Sequence, residues 1–362
     1  MNGHHEVKKP RVYRRGVCIR FGFSGEQLLV FRSLLKALHQ NFLKESYSEK
    51  YLPVTFMADS FAMKFFDPAR YKMADVFISK SDMESYEILP VSARMKSADL
   101  PVTAHVQAGE LLYALAECDK YSRAEFTFKA VFNSQSYVRE VEVRKPAVCP
   151  RCGKPTTYNL LLPNQRGPKG NRYKCGWLLD GKPCNWRGKV RTWKRKEKAW
   201  SKTLDTVESE AVVNVDVENS KDKFTLKLFS EDYEEILIPK VEFKAVAKVD
   251  LDKFVAKLER LKQKADTVTI EAGDDGLTLT GKGETVKAEV KMDRGSDMLI
   301  SIDAYRNVNA SFRTAELIKV LPKIGETATL HLATDMPIKT EINTQLYASQ
   351  ISFYLAPTIT TD

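Results

Sequence analysis

Four cysteines crowded into 36 residues are the groups in this chain whose types and spacing most clearly point to chemistry: Cys149, Cys152, Cys175 and Cys184. Cys149-Pro-Arg-Cys152-Gly is a knuckle that lets two thiolates face one ion, and Zn²⁺ takes four tetrahedral ligands. Cys175 and Cys184 supply a second pair, although their gap of eight residues exceeds the usual two to four. No histidine lies between His105 and His331, so a four-cysteine site is the only closed one nearby. Disulfides or a redox CxxC motif are the other pairings, and the redox motif expects an α/β setting that is absent here. The expectation is one structural zinc, which would supply folding energy to a segment with few aliphatic residues.

The same segment is strongly basic. Between Arg144 and Thr203 there are 17 Lys or Arg against 2 acids, a balance of +15. Residues 1–20 add six basic residues and one acid, or +5, so with a net charge of +10 the remainder sums to −10. This is an acidic body with two basic attachments, a pattern that points to nucleic acid. Lys194, Arg195 and Lys196 are interleaved with Trp186, Trp193 and Trp200, cations for phosphates beside rings for stacking. Docking of a partner protein and a solubilised spacer are the competing readings of these residues. Cys18 and Cys118 stand apart in apolar surroundings and read as small core residues.

The elements that must carry these groups follow from periodicity. Val17–Phe23 alternates as a strand, and Ser24-Gly25-Glu26-Gln27 has the pattern of a capping box. Leu28, Phe31, Leu35 and Leu38 then form a helical stripe, with Arg32, Lys36 and His39 on another face. Strands are expected at 51–59, 61–66 and 71–79, then at 102–107, with a short helix at 109–120 and a strand at 124–131. After the cysteine-rich segment, strands return at 211–217 and 224–229. The second half repeats the scheme: a strand at 243–249, a helix at 250–264, strands at 267–271, 277–281 and 285–292 with another within 298–309, a short helix at 314–323, and strands at 327–332, 338–343 and 350–355. Four copies of strand, helix, then strands predict an α+β fold of two sheet domains with two helices each.

Length, at 362 residues, suits two or three domains. No stretch of about 18 apolar residues occurs, so no membrane span is expected, and the basic N-terminus lacks the apolar run of a secretory signal. A folded intracellular protein is expected. A zinc-dependent nucleic-acid enzyme is disfavoured: the five histidines are scattered, four thiolates leave a metal no open position, and no P-loop, GxSxG or HExxH is present.

Three segments resemble the proliferating cell nuclear antigen family of DNA sliding clamps. "MKFFDPARYKMADVFI" is similar to its first-domain signature, "ATDMPIKTEINTQLYASQISFYLAP" to its C-terminal signature, and "LIPKVEFKA" to its interdomain linker. The resemblance covers roughly 17–143 and 204–362 and departs at the basic arm and the insert. It implies a basic arm at 1–16, a first clamp domain at 17–145 and 204–235, a zinc-ribbon insert at 146–203, a linker at 236–242 and a second domain at 243–362. It implies a ring, in the family a trimer, with sheets outside and helices lining the hole.

The implied activity is that of a processivity factor, not an enzyme: it encircles duplex DNA and tethers DNA polymerase and other proteins bearing a clamp-binding peptide, with a clamp loader as a further partner. The helix cations fit such a hole, with Lys253, Lys257, Arg260 and Lys264 recurring at 4, 3 and 4 off the apolar stripe, and Arg313, Lys319 and Lys323 marking the last helix. By resemblance the peptide pocket uses Phe66, Arg70, Ile236, Ile238, Pro337, Tyr354 and Ala356. Subunits would join through 223–229 of one copy and 285–292 of the next, with Leu226 and Val286 in the contact. A damage-checkpoint or viral clamp whose ribbon docks a partner is the alternative.

Overall fold

The computed structural model describes residues 12–44, 51–91, 96–97, 100–144, 149, 173–174, 178–179, 182–184, 187–188, 192–218, 220–229, 236, 238, 240–283 and 286–358. The chain divides into two compact units, one of residues 1–13 and 134–202, the other of 14–133 and 203–362.

In chain order the elements are β1 (Val12–Ser24), α1 (Gly25–Leu38), a π-helical turn (His39–Leu43), β2 (Tyr51–Phe56), β3 (Ser60–Phe66), β4 (Lys72–Ser79), β5 (Ser85–Leu89), β6 (Lys96–Ser97), β7 (Val102–Gln107), α2 (Ala108–Ala114) and β8 (Arg123–Arg144). The short strands β9 (Tyr173–Lys174), β10 (Leu178–Leu179), β11 (Lys182–Pro183) and β12 (Arg187–Gly188) precede β13 (Thr192–Leu204), β14 (Glu210–Val217) and β15 (Ser220–Lys227). The second half holds β16 (Ala245–Asp250), α3 (Leu251–Lys262), β17 (Thr267–Gly273), β18 (Gly276–Lys282), β19 (Lys287–Asp293), β20 (Leu299–Ala304), β21 (Val308–Arg313), α4 (Thr314–Lys319), β22 (Thr327–Leu332), β23 (Ile338–Asn343) and β24 (Gln350–Leu355). The fold is α+β, as the repeated strand–helix–strand pattern predicts.

One nine-stranded sheet runs through both halves in the order β20-β16-β22-β23-β24-β4-β3-β2-β7. Its seam is the antiparallel pair β24–β4, with Gln350 opposite Phe77 and Leu355 opposite Lys72. A second sheet, β15-β14-β8-β1-β5, completes the first half, and β19-β18-β17-β21 completes the second. Alternation decides which side of each strand is buried: in β4 Lys72, Ala74, Val76 and Ile78 point inward.

Helix α3 forms where its sequence demands. Asp250 accepts a hydrogen bond from the Lys253 N–H at 2.9 Å, and Leu251, Phe254, Val255, Leu258 and Leu261 are buried at helical spacing. Helix α1 starts differently from the expected capping box. Ser24 makes no side-chain cap bond. Instead Gly25 takes φ +57°, a conformation strained for other residues, and its N–H reaches Ser122 O at 3.1 Å. An aromatic cluster packs under α1, with Phe21 stacked on Phe126 at 4.9 Å and Phe23 on Phe31 at 4.5 Å. Among the described residues no helix is long and apolar enough to cross a membrane.

Candidate nucleic-acid interface

The cations of the candidate site sit on helices packed in pairs, α1 on α2 and α3 on α4. On α3 the apolar stripe faces inward, which leaves Lys253 and Arg260 exposed and Lys257 half-buried, with Lys264 exposed just beyond the helix end. Lys257, Arg260 and Lys264 make no ion pair among the described residues. Lys253 is held near home, 3.7 Å from Asp250 Oδ2 and 3.2 Å from Asp297 O. On α1 Lys36 is exposed, Arg32 is half-buried and donates to the backbone carbonyl of Cys118, and His39 lies in the π-helical turn. Arg313 is exposed at the start of α4, Lys319 is bonded to Glu316 at 2.8 Å, and Lys323 lies 4.0 Å from Glu259.

The residues singled out for charge alone therefore split. Lys36, Lys257, Arg260, Lys264 and Arg313 offer charge outward, while Arg32 and Lys319 are spent on the protein's own acceptors. Helical periodicity finds the face a residue occupies but not the carbonyl or carboxylate waiting there.

The expected pocket residues fall toward one end of the sheet seam. Phe66 is opposite Met73, Met73 opposite Tyr354, and Tyr354 opposite Lys339, so four neighbouring strands bring that row together. Arg70 is exposed at φ +59° in the turn between β3 and β4, and Asp67 accepts from the Arg70 and Lys72 N–H groups there. Pro337 precedes β23, and the Ala356 N–H donates to Tyr71 O at 2.9 Å. Ile238 is exposed and Ile236 packs against the core. Tyr354 is only 7% exposed, under the Lys339 ammonium at 6.0 Å, and burial pushes its hydroxyl up to about 12. A separate cavity of about 750 Å³, between α1 and the 342–349 turn, shares only Lys323 with the expected sites.

Among the strands that end sheets, β15 closes one side of the first-half sheet and β19 one side of the four-stranded second-half sheet. Leu226 on β15 is buried in its own core, whereas Val286, just before β19, is 45% exposed. Beside β15, Tyr113 is 70% exposed and meets Phe224 edge to face at 6.0 Å. That aromatic pair was not anticipated, because its members lie 111 positions apart in the sequence.

In the smaller unit Cys149 and Cys184 are both buried, with their sulfurs 3.6 Å apart. Cys152 and Cys175 lie outside the described residues. Trp193, Lys194, Arg195 and Lys196 fall on β13, and their side chains lie outside what is described.

No family model matches the chain. It is 27% identical over 129 residues to DNA polymerase sliding clamp 1 of Pyrobaculum aerophilum, covering 35% of this chain and 51% of that protein. It is 23% identical over 171 residues to DNA polymerase sliding clamp 3 of Aeropyrum pernix, 44% of this chain and 68% of that one. The proliferating cell nuclear antigens of Entamoeba histolytica and Thermococcus kodakaraensis superpose with TM-scores of 0.59 and 0.61, at 15% and 13% identity, over 94% of this chain and 99% and 100% of theirs. The fold is that of the sliding clamps. The chain spans about half the length of the first of these curated relatives. The sliding-clamp fold accounts for the seam between β24 and β4, the paired helices and the two sheet edges.

Proposed function

We propose that the chain is one subunit of a homotrimeric ring that encircles duplex DNA and tethers a DNA polymerase and other replication or repair proteins, without catalysing a reaction itself. The observation that supports this is that both strands the resemblance would join, β15 and β19, end their sheets. β15 and β19 each end a sheet with unpaired backbone donors and acceptors, a liability that pairing with a neighbouring copy removes. Because one edge lies in each half, head-to-tail pairing can close into a ring. The exposed Tyr113 and Val286 give that contact apolar area.

Within such a ring Lys36, Lys257, Arg260, Lys264 and Arg313 would meet phosphates. Phosphate attraction is independent of sequence and permits sliding. Partner peptides would dock at the end of the seam marked by Phe66, Arg70, Pro337, Tyr354 and Ala356, close to Ile236 and Ile238, and a loader would open the ring. The insert would add nucleic-acid contacts through Trp193, Lys194, Arg195 and Lys196. Such a protein works inside the cell, on DNA.

Retention on circular duplex DNA tests the reading. A ring should stay on a closed circle at high salt after loading and slide off once the circle is cut. Equal loss from cut and closed circles would show that it does not encircle.

A further inference from the structure

We infer that Glu316 is a positioning residue for partner capture. Through Lys72 it sets the turn at 67–72 that borders the expected peptide pocket, and with the same carboxylate it withholds the Lys319 ammonium from phosphate. The inference rests on reading the body as a clamp that takes DNA on its helices and partner peptides at the end of the seam.

Lys72 is where the two faces meet. It is the first residue of β4, and its backbone lies opposite Leu355, between Tyr354 and Ala356 of the expected pocket. Successive side chains of a strand point to opposite faces. Met73 therefore lies on the face of Tyr354, its partner across the ladder, while the Lys72 side chain turns to the helix side. There it is 4% exposed, donates to Asn41 O at 2.9 Å and lies 2.6 Å from Glu316 Oε2. A buried ammonium without a carboxylate is costly, so this contact fixes where the chain enters β4.

The turn that leads into β4 depends on the same residue. The Lys72 N–H donates to Asp67 Oδ1 at 2.7 Å, the Asp67 N–H to Lys72 O at 3.0 Å and the Arg70 N–H to Asp67 O at 2.9 Å. These bonds close a loop that holds Arg70 exposed at φ +59°, and the Tyr71 carbonyl beside it accepts from the Ala356 N–H. A shift of Lys72 thus moves Arg70 and Ala356 together.

Glu316 also faces the other way. Its Oε1 accepts from the Lys319 ammonium at 2.8 Å, three residues on along α4. The Lys319 side chain is 42% exposed against 12% for Glu316, so the lysine reaches solvent while the carboxylate hardly does. Asn41, whose carbonyl holds Lys72, donates its side-chain amide to Lys319 O at 3.1 Å from the π-helical turn after α1. One carboxylate therefore serves two cations, one that ties down the turn and one fit for phosphate. Removing it moves the two sites in opposite directions: the turn loses its hold, and Lys319 gains its freedom.

The test titrates the full chain by fluorescence anisotropy against two probes. One is a synthetic peptide with an aliphatic residue and a pair of aromatics, the other a short duplex DNA at a series of salt concentrations. Glu316→Gln should weaken peptide binding roughly tenfold and steepen the slope of log K against log salt by about one unit. Loss of folding would weaken both, so opposite signs separate positioning from stability. Lys72→Met with Glu316→Leu, which fills the site with apolar groups, should show the same two changes in a subunit of normal melting temperature. Lys319→Met should leave peptide affinity at the wild-type value. Unchanged peptide affinity in the double variant, or a DNA slope that steepens in neither Glu316 variant, would overturn the inference alone. A wild type that binds neither probe would overturn the clamp reading, and the inference with it.

Discussion

The Lys72 ammonium lies 2.6 Å from Glu316 Oε2 and so joins the first half of the clamp body to helix α4 of the second. Lys72 is 4% exposed, donates to Asn41 O at 2.9 Å and lies within 6 Å of the Phe42 and Tyr71 rings. Glu316 also accepts from Lys319. Burial pushes the Glu316 carboxyl up, and the bonds from Lys319 and Lys72 outweigh it, leaving its pKa lowered. Glu316→Gln should therefore strand a buried ammonium and cost about 3–5 kcal/mol, whereas Lys72→Met with Glu316→Leu should recover most of the loss. Urea unfolding of the single and double variants measures both.

This pair was legible in part. Lys72 stands in phase with Ala74, Val76 and Ile78, and a lysine in the buried phase of a strand needs a partner. Nothing local says that the partner is 244 positions away. Helix α3 was read almost to its ends because Asp250 and the Leu251–Leu261 stripe act within a few residues. Helix α2 was read to 120 and stops at Ala114, because Asp119 turns the chain by accepting from the Tyr121 N–H and the Ser122 hydroxyl. β8 was read as eight residues and runs 22, since Asn133, Ser134, Gln135 and Ser136 break the apolar alternation without breaking the strand. Residue types and phase reveal what each element wants, while long-range pairing decides which carbonyl or carboxylate meets it.

Stability should fall in acid through Glu341. The His331 ring nitrogen 3.2 Å away, opposed by burial and aided by Lys339, holds its carboxyl down at about 2 against 4.5. A carboxylate with a depressed pKa in the folded state stabilises above its unfolded pKa, and loses that contribution as pH falls from about 4.5 toward 2. Glu341→Gln should flatten the melting temperature over that window. An unchanged acid limb would mean the pair is not formed in solution.

Assembly should be sensitive at the sheet edges. Tyr113→Asp and Val286→Asp alter exposed side chains, so each should leave the subunit folded and yield monomers in light scattering. Leu226→Asp is the wrong probe despite its place on β15, because the residue is buried and its replacement would unfold the subunit. Normal circular dichroism with full assembly in both edge variants would place the contact elsewhere.

DNA affinity should separate outward cations from engaged ones. Alanine at Lys257, Arg260 and Lys264 should each reduce the slope of log K against log salt by about one unit, and Lys319→Ala by less, since Glu316 already holds that ammonium. In the insert, replacing Lys194, Arg195 and Lys196 together should lower the slope again. Trp193→Ala should weaken single-stranded binding more than double-stranded. Slopes that do not move in the insert variants would favour docking of a partner protein instead.

The ring is tested most directly by mass in solution. Light scattering on the eluting full chain should give three times the 41.1 kDa subunit mass over a range of concentrations. A constant mass of 41.1 kDa, even at the highest concentration, would contradict the homotrimeric ring.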